Sequence, residues 1–144
     1  MPRPYQSRIS VEDSYLEAAG QALFNYAYVE GIVAYLVNSV VPGYINLTRS
    51  RTADEIANDL ALSSNIKADQ ELRGVASRFK ELTGRRDALL VALPVTASKD
   101  HAQILSTLTN TAEEWDEASL WAFAQQAEAL AIDSRELLQK RTGQ

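Results

Sequence analysis

Apolar residues recur with a helical period along four segments of the chain. The longest segment follows Ser10-Val11-Glu12-Asp13, which has the form of a capping box, and continues to about Val40 or Val41, where Pro42-Gly43 stops it. It predicts a first helix that is roughly 45 Å long at 1.5 Å per residue. A second capping box, Thr52-Ala53-Asp54-Glu55, predicts a short helix that ends near residues 63–65.

The second and third helices are predicted to turn their apolar residues inward. In the second helix these are Ile56, Leu60 and Leu62. The third is predicted from about Ala68 to Leu93, where Pro94 ends it. Its apolar positions are Leu72, Val75, Phe79, Leu82, Leu89, Leu90 and Leu93.

An irregular arm around residues 95–111 separates the third helix from the last one. Residues 98–100 have turn character, and the Ile and Thr content of residues 103–108 favours an extended segment. A last helix is predicted from about Asp116 to Lys140, with Gly143 just past its end. Its inward positions are Leu120, Phe123, Ala124, Ala127, Leu130, Ala131, Ser134, Leu137 and Leu138. The pattern therefore predicts an all-α fold, a four-to-five-helix bundle with one irregular arm.

Length and composition predict one domain over residues 1–144, with an ordered core of about residues 10–141. The chain has 144 residues, of which 46% are hydrophobic, enough for one core and too few for two ordinary domains. Since it contains no cysteine, it forms neither a disulfide nor a thiolate site, and a cytoplasmic location is expected. The N-terminus lacks the apolar core of an export signal. Because Asn25, Glu30 and Asn38 interrupt the apolar run 22–41, no membrane span is predicted.

Basic residues are concentrated in the predicted third helix. The net charge of −5 argues against a sequence-blind grip on nucleic acid by the whole domain, but not against a local patch. Arg78 and Arg85 lie seven residues apart on one helical face and are the candidate RNA contacts, although a solvated face is an alternative. His101 is the only histidine, which excludes a multi-histidine metal site, and no metal or cofactor is predicted.

Two charged residues interrupt the apolar faces of the long helices. Glu30 falls in the middle of one face of the first helix, and Arg86 falls in the middle of the stripe of the third. Because buried charges need partners, we expect Glu30 and Arg86 to form an ion pair across the two helices. Such a pair would either fix the register of the helices or hold the arginine at the edge of a site.

The first helix is also rich in tyrosine. It carries more aromatic side chains than one face can bury, which favours a dimer over a base-stacking surface. These residues are Tyr15, Tyr26, Tyr28 and Tyr35.

The segment Arg86-Asp87-Ala88-Leu89-Leu90-Val91 resembles the motif of the HEPN superfamily, the higher eukaryotes and prokaryotes nucleotide-binding domains. That motif is Arg, then Asn, Asp or His, three residues, and then His. Residues 23–30, the pair Thr96-Ala97 and Trp115 before the last helix are similar to small bacterial members.

The resemblance implies a dimeric bundle in which the Arg and His of both subunits share one groove, where active members cut RNA without metal. Arg86 would then stabilise phosphate charge and Asp87 would position the site. The expected His is Val91 here, and valine can neither take nor give a proton. Loss of an acid or base commonly costs about two to four orders of magnitude in rate.

The sequence therefore predicts a HEPN-like homodimer that binds RNA or a protein partner with little or no nuclease activity. One alternative is an enzyme, a metal-independent RNase of a toxin–antitoxin or phage-defence system. A second is a purely structural interaction module, in which Glu30 and Arg86 serve packing alone.

Overall fold

The computed structural model describes residues 8–62, 70–96, 103–107 and 113–143. Within these ranges the fold is mostly helical and includes a small antiparallel sheet. The helices are α1 (Asp13–Val40), a 3-10 helix (Tyr44–Ser50), α2 (Ala53–Leu62), α3 (Gln70–Leu90) and α4 (Glu117–Thr142). The strands are β1 (Leu93–Thr96), β2 (Gln103–Thr107) and β3 (Glu113–Trp115).

Most helix ends agree with the capping and turn residues that predicted them. α1 ends at Val40, as predicted, and Gly43 then takes a left-handed φ of 87°. The Thr52 box is confirmed, since its hydroxyl accepts from the Glu55 amide (3.2 Å) and the Glu55 carboxylate accepts from the Thr52 amide (3.1 Å). The Ser10 box is wrong. α1 begins at Asp13, its N-cap is Glu12, and the Glu12 side chain makes no cap hydrogen bond.

The last helix agrees with its prediction at both ends. Asp116 is the N-cap, and its carboxylate accepts from the Ser119 amide at 2.7 Å. Gly143 follows the helix with a φ of 76°, the left-handed conformation that glycine adopts without strain. Eight of its predicted inward residues are buried, and Leu138 is half-buried.

The region after α3 corrects the purely all-α prediction. The helix ends at Leu90 rather than Leu93, and Pro94 lies in the edge strand β1, where a missing N–H costs no sheet bond. β2 confirms the extended segment expected there and pairs with β1 on one side and β3 on the other. Leu90 and Leu93, predicted inward, are 58% and 55% exposed. Leu62, also predicted inward, is 79% exposed.

Three further expectations fall on residues that the structure does not describe. They are the end of the second helix at residues 63–65, the turn at 98–100 and the environment of His101.

The two longest helices lie side by side and run in the same direction. Near their N-terminal ends Ser14 donates to the Glu117 carboxylate (3.1 Å), and near their C-terminal ends Arg141 donates to the Ser39 hydroxyl (3.4 Å). α2 and α3 pack against each other and against α1. The centre of the core is aromatic and comprises Tyr26, Phe79, Trp115 and Phe123.

Ser134 on α4 is a buried hydroxyl without a hydrogen-bond partner in the described structure. Its replacement by alanine removes an unsatisfied polar group and leaves almost no cavity. We therefore expect Ser134→Ala to raise the free energy of unfolding by about 1 kcal/mol in a urea titration. Ser119→Ala is the control, because Ser119 is only half-buried. A destabilised Ser134→Ala protein would mean that the hydroxyl has a partner.

Candidate functional site

Arg86 lies near the end of α3 and is held against α1. Its guanidinium carbon is 4.5 Å from the centre of the Tyr26 ring, in the geometry of a cation–π contact. Its Nε and one terminal nitrogen each lie 2.9 Å from Oδ1 of Asp87. The side chain remains 20% exposed, so that one edge of the arginine is accessible to a ligand.

Tyr26 is the residue of α1 that organises this site. Its hydroxyl lies 2.8 Å from the Thr83 hydroxyl, and its ring stacks on Phe79 with the ring centres 5.9 Å apart. Burial raises the pKa of Tyr26 to about 12, against the opposing effects of the Thr83 hydrogen bond and of Arg86. The phenol is therefore protonated at neutral pH and does not serve as a base.

The ion pair of Arg86 is with Asp87, and not with Glu30 as predicted. Glu30 lies one helical turn after Tyr26 on α1, and it is Tyr26 whose ring contacts Arg86. The ring of Tyr26 packs on the face of the Arg86 guanidinium. The carboxylate that pairs with Arg86 is that of the next residue, Asp87. Tyr26 lies four residues before Glu30 on α1, so the two share one face of the helix. This spacing could have identified Tyr26 as a contact of Arg86 from the sequence.

The two candidate RNA contacts are engaged within the chain. Arg78 donates to the Asp133 carboxylate at 2.8 Å. Arg85 lies over the Trp115 ring, 5.1 Å from its centre, and a terminal nitrogen of Arg85 lies 3.5 Å from the Glu113 carboxylate. Each cation is thus paired with an acid, which reduces the positive charge that these residues offer to a phosphate backbone.

The end of α3 exposes apolar side chains beside Arg86. Leu90 follows Arg86 by one helical turn, and Val91, in the position of the motif His, is 66% exposed. Leu93 at the start of β1 adds a third exposed apolar side chain. This part of the surface therefore offers a ligand apolar side chains to contact and one cation, Arg86.

A second apolar surface lies in a groove between α1 and α4, which encloses about 640 Å³. Its lining includes Phe24, which is 67% exposed, and Ile132, which is 51% exposed. Tyr28 and Trp121 complete the aromatic part of the lining. No sequence signal beyond the excess of tyrosines pointed to this groove, because its two helices are distant in the chain.

No group of three acidic or histidine side chains that could hold a metal ion occurs in the described ranges. The helices described for this chain include none that is long and apolar enough to cross a bilayer.

Comparison of the chain with protein-family models, with curated proteins and with solved structures found no match.

Proposed function

We propose that this protein is a HEPN-like helical module that binds a protein partner at the end of α3 and does not cleave RNA. The observation that carries the proposal is the replacement of the motif His by Val91, an exposed apolar side chain that follows Arg86 by five residues, just past the end of α3. The site retains a cation and an apolar contact surface. Both are features of a binding surface.

The neighbouring groups support the absence of nuclease activity. RNA cleavage needs a group that takes a proton from a hydroxyl near neutral pH and one that returns a proton to the leaving oxygen. Val91 does neither. Tyr26, with its pKa raised to about 12, is a poor base, and Asp87 is paired with Arg86.

The charges favour a protein partner over RNA. Binding to a phosphate backbone gains its affinity from cations that neutralise phosphates. Arg78 and Arg85 already have acidic partners in the chain, and the net charge is −5. Exposed leucine and valine side chains beside one arginine match the apolar core and charged rim of a protein interface better.

The test compares RNA cleavage by the natural protein and by four variants, of which one is Arg86→Ala alone. Val91→His restores the motif, Val91→Ala changes the same site without adding a titratable group, and Val91→His with Arg86→Ala removes the cation. We expect cleavage by Val91→His alone, at a rate about two to four orders of magnitude above that of the natural protein. Cleavage by the natural protein that disappears in Arg86→Ala would instead support the RNase alternative.

The same samples test whether RNA is the ligand of this site. We expect weak binding of single-stranded RNA by the natural protein at 50 mM salt. Tight binding that falls steeply between 50 and 200 mM salt, and that weakens in Arg86→Ala, would favour an RNA-binding module.

A further inference from the structure

The groove between α1 and α4 plays no part in the proposed function. All of its lining side chains belong to these two helices, so it does not include Arg86 or the end of α3. It encloses about 640 Å³ and continues past Tyr28 and Arg135 into a second concave stretch of about 560 Å³. Together the two stretches exceed the roughly 300–1,000 Å³ of a small-molecule pocket. From Gln21 to Ser39 the groove is about 27 Å long at 1.5 Å per residue, which favours an elongated occupant.

The floor of the groove is made of small residues, and its two walls are tied together. Ala124 and Ala131 of α4 line the groove and are almost fully buried. The Asn25 side chain of α1 donates to the Ala124 carbonyl of α4 at 3.1 Å, and Gln21 donates to the Asn25 side chain at 2.6 Å. The groove is therefore formed before anything binds, and binding does not require its two helices to be ordered first.

The walls of the groove are apolar and exposed. Phe24 of α1 and Ile132 of α4 are each more than half exposed, and so is Tyr35 in the second stretch. Tyr28 and Trp121 add two more aromatic side chains. Single exposed apolar residues are ordinary on a protein surface, but a contiguous row of them in a concave surface is typical of a binding site. The row therefore indicates an occupant with an apolar face.

Two opposite charges on the α4 wall identify the polar groups of the occupant. Glu128 and Arg135 line the groove seven residues apart, about 10 Å along the helix axis, and Ile132 lies between them. Within the described ranges neither forms an ion pair, and Arg135 makes a long hydrogen bond, 3.4 Å, to the Tyr28 hydroxyl. Gln125 and the whole α1 wall are uncharged. A complementary occupant therefore carries a base and an acid about 10 Å apart.

The groove favours a helix over an extended peptide. Its walls are the side chains of two helices whose backbone groups are bonded within each helix, so they offer no row of amides and carbonyls to an incoming strand. An extended peptide would bury its own backbone groups there without partners, whereas a helix satisfies them internally. Side chains seven residues apart also lie on one face of a helix, at the spacing of Glu128 and Arg135.

We propose that the groove binds an amphipathic helix of a partner protein. The helix carries apolar side chains at a spacing of three and four residues, and these pack between Phe24 and Ile132. A lysine or arginine of the helix faces Glu128, and an aspartate or glutamate seven residues away faces Arg135. Because no lining residue belongs to α3, this proposal stands whether or not the end of α3 binds a partner.

A peptide display library tests the proposal on the natural protein. The library presents peptides of about 18 residues, with an outer face of alanine and glutamine and with randomised inner positions spaced three and four residues apart. Selection against the natural protein is combined with counter-selection against Phe24→Asp, which places a charge in the apolar wall. We expect the enriched peptides to carry apolar residues flanked by a base and an acid seven positions apart.

Tryptophan fluorescence locates the enriched peptides on the protein. Trp121 lines the groove, whereas Trp115 is fully buried in the core. Binding should therefore change the emission of Trp121. Trp121→Phe should abolish that change and leave the emission of Trp115 as it was.

Charge reversal then tests the two ion pairs. Glu128→Arg makes the groove basic at both points, so it should bind an enriched peptide at least about tenfold more weakly and should prefer a version whose base is replaced by glutamate. Arg135→Glu makes both points acidic and should prefer a version whose acid is replaced by lysine. Glu136→Arg makes the same charge change on α4 outside the groove, and it should bind the original peptide as the natural protein does. Circular dichroism checks that each variant is folded.

Three results would overturn the proposal. The first is a selection that enriches no helix with this pair of charges. The second is an enriched peptide whose affinity does not distinguish Glu128→Arg from Glu136→Arg, because the charge in the groove would then have no role. The third is a natural protein that is dimeric by sedimentation and becomes monomeric in Phe24→Asp, because a second copy of the chain would then occupy the groove.

Discussion

Replacement of Trp115 by alanine is expected to lower the free energy of unfolding by about 3–5 kcal/mol, which corresponds to a loss of about 10 °C or more in Tm. Trp115 has no exposed surface and joins three parts of the fold. Its indole N–H donates to the Thr107 hydroxyl at 3.0 Å, and that hydroxyl donates to the Ala88 carbonyl at 2.8 Å. The alanine would leave a cavity between the sheet and α3, and Arg85 would lose its contact with the ring.

Two control variants separate the contributions to this loss. Trp115→Phe keeps an aromatic ring but removes the N–H donor, and it should cost about 1–2 kcal/mol. Trp121→Ala makes the same substitution at a half-buried tryptophan of α4, and it should cost clearly less than Trp115→Ala. Urea titrations in dilute protein, followed by circular dichroism, measure all three. A loss below about 1 kcal/mol for Trp115→Ala would contradict the packing of the sheet on the helices.

Replacement of Tyr26 by alanine is the second change for which we expect a loss of about 3–5 kcal/mol. The ring lies between Phe79 and Phe123, with ring centres 5.9 Å and 6.4 Å away, and it supports the Arg86 guanidinium. Its removal opens the centre of the core. Arg86 would at the same time lose the surface that positions it for a ligand.

Tyr26→Phe isolates the hydrogen bond from the ring. The buried Thr83 hydroxyl would lose its partner, so we expect a cost of about 1–2 kcal/mol. Because Thr83→Val removes the orphaned hydroxyl, the double variant should be more stable than Tyr26→Phe alone. A Tyr26→Phe protein as stable as the natural protein would show that the bond contributes nothing to folding.

The same variant should change the dependence of stability on alkaline pH. A tyrosine whose pKa is raised on folding stabilises the native state fully below its unfolded pKa of about 10. That contribution is lost as the pH rises towards the folded value of about 12. Tyr26→Phe should therefore lose less stability than the natural protein between pH 10 and 12.

The sequence by itself determined where the long helices lie. The Thr52 box, the Asp116 cap and Gly143 act through bonds and backbone angles within a few residues, so they can be identified without knowledge of the fold. The inward faces of α3 and α4 followed from periodicity, because burial on one side imposes it. The Ile and Thr content of residues 103–108 gave the extended segment at β2.

The sequence did not determine β1 and β3, nor the end of α3. Each strand has five residues or fewer, and a strand that short forms only when a partner supplies its hydrogen bonds. Leu90 and Leu93 continued the helical pattern of α3, but the helix ends at Leu90 and Leu93 pairs with Ser106 in β2.

The partners of the arginines were decided by tertiary structure alone. Periodicity predicted that Glu30 and Arg86 face each other, but it carried no information on which nearby groups contact Arg86, and these are Asp87 and Tyr26. Arg85 meets Trp115 across a separation of thirty residues, and Arg78 meets Asp133 across 55. A charged side chain forms its ion pair or ring contact with the group that lies within a few ångströms of it in the folded chain. That distance depends on how the helices pack, whereas caps and periodicity depend only on neighbours in the chain.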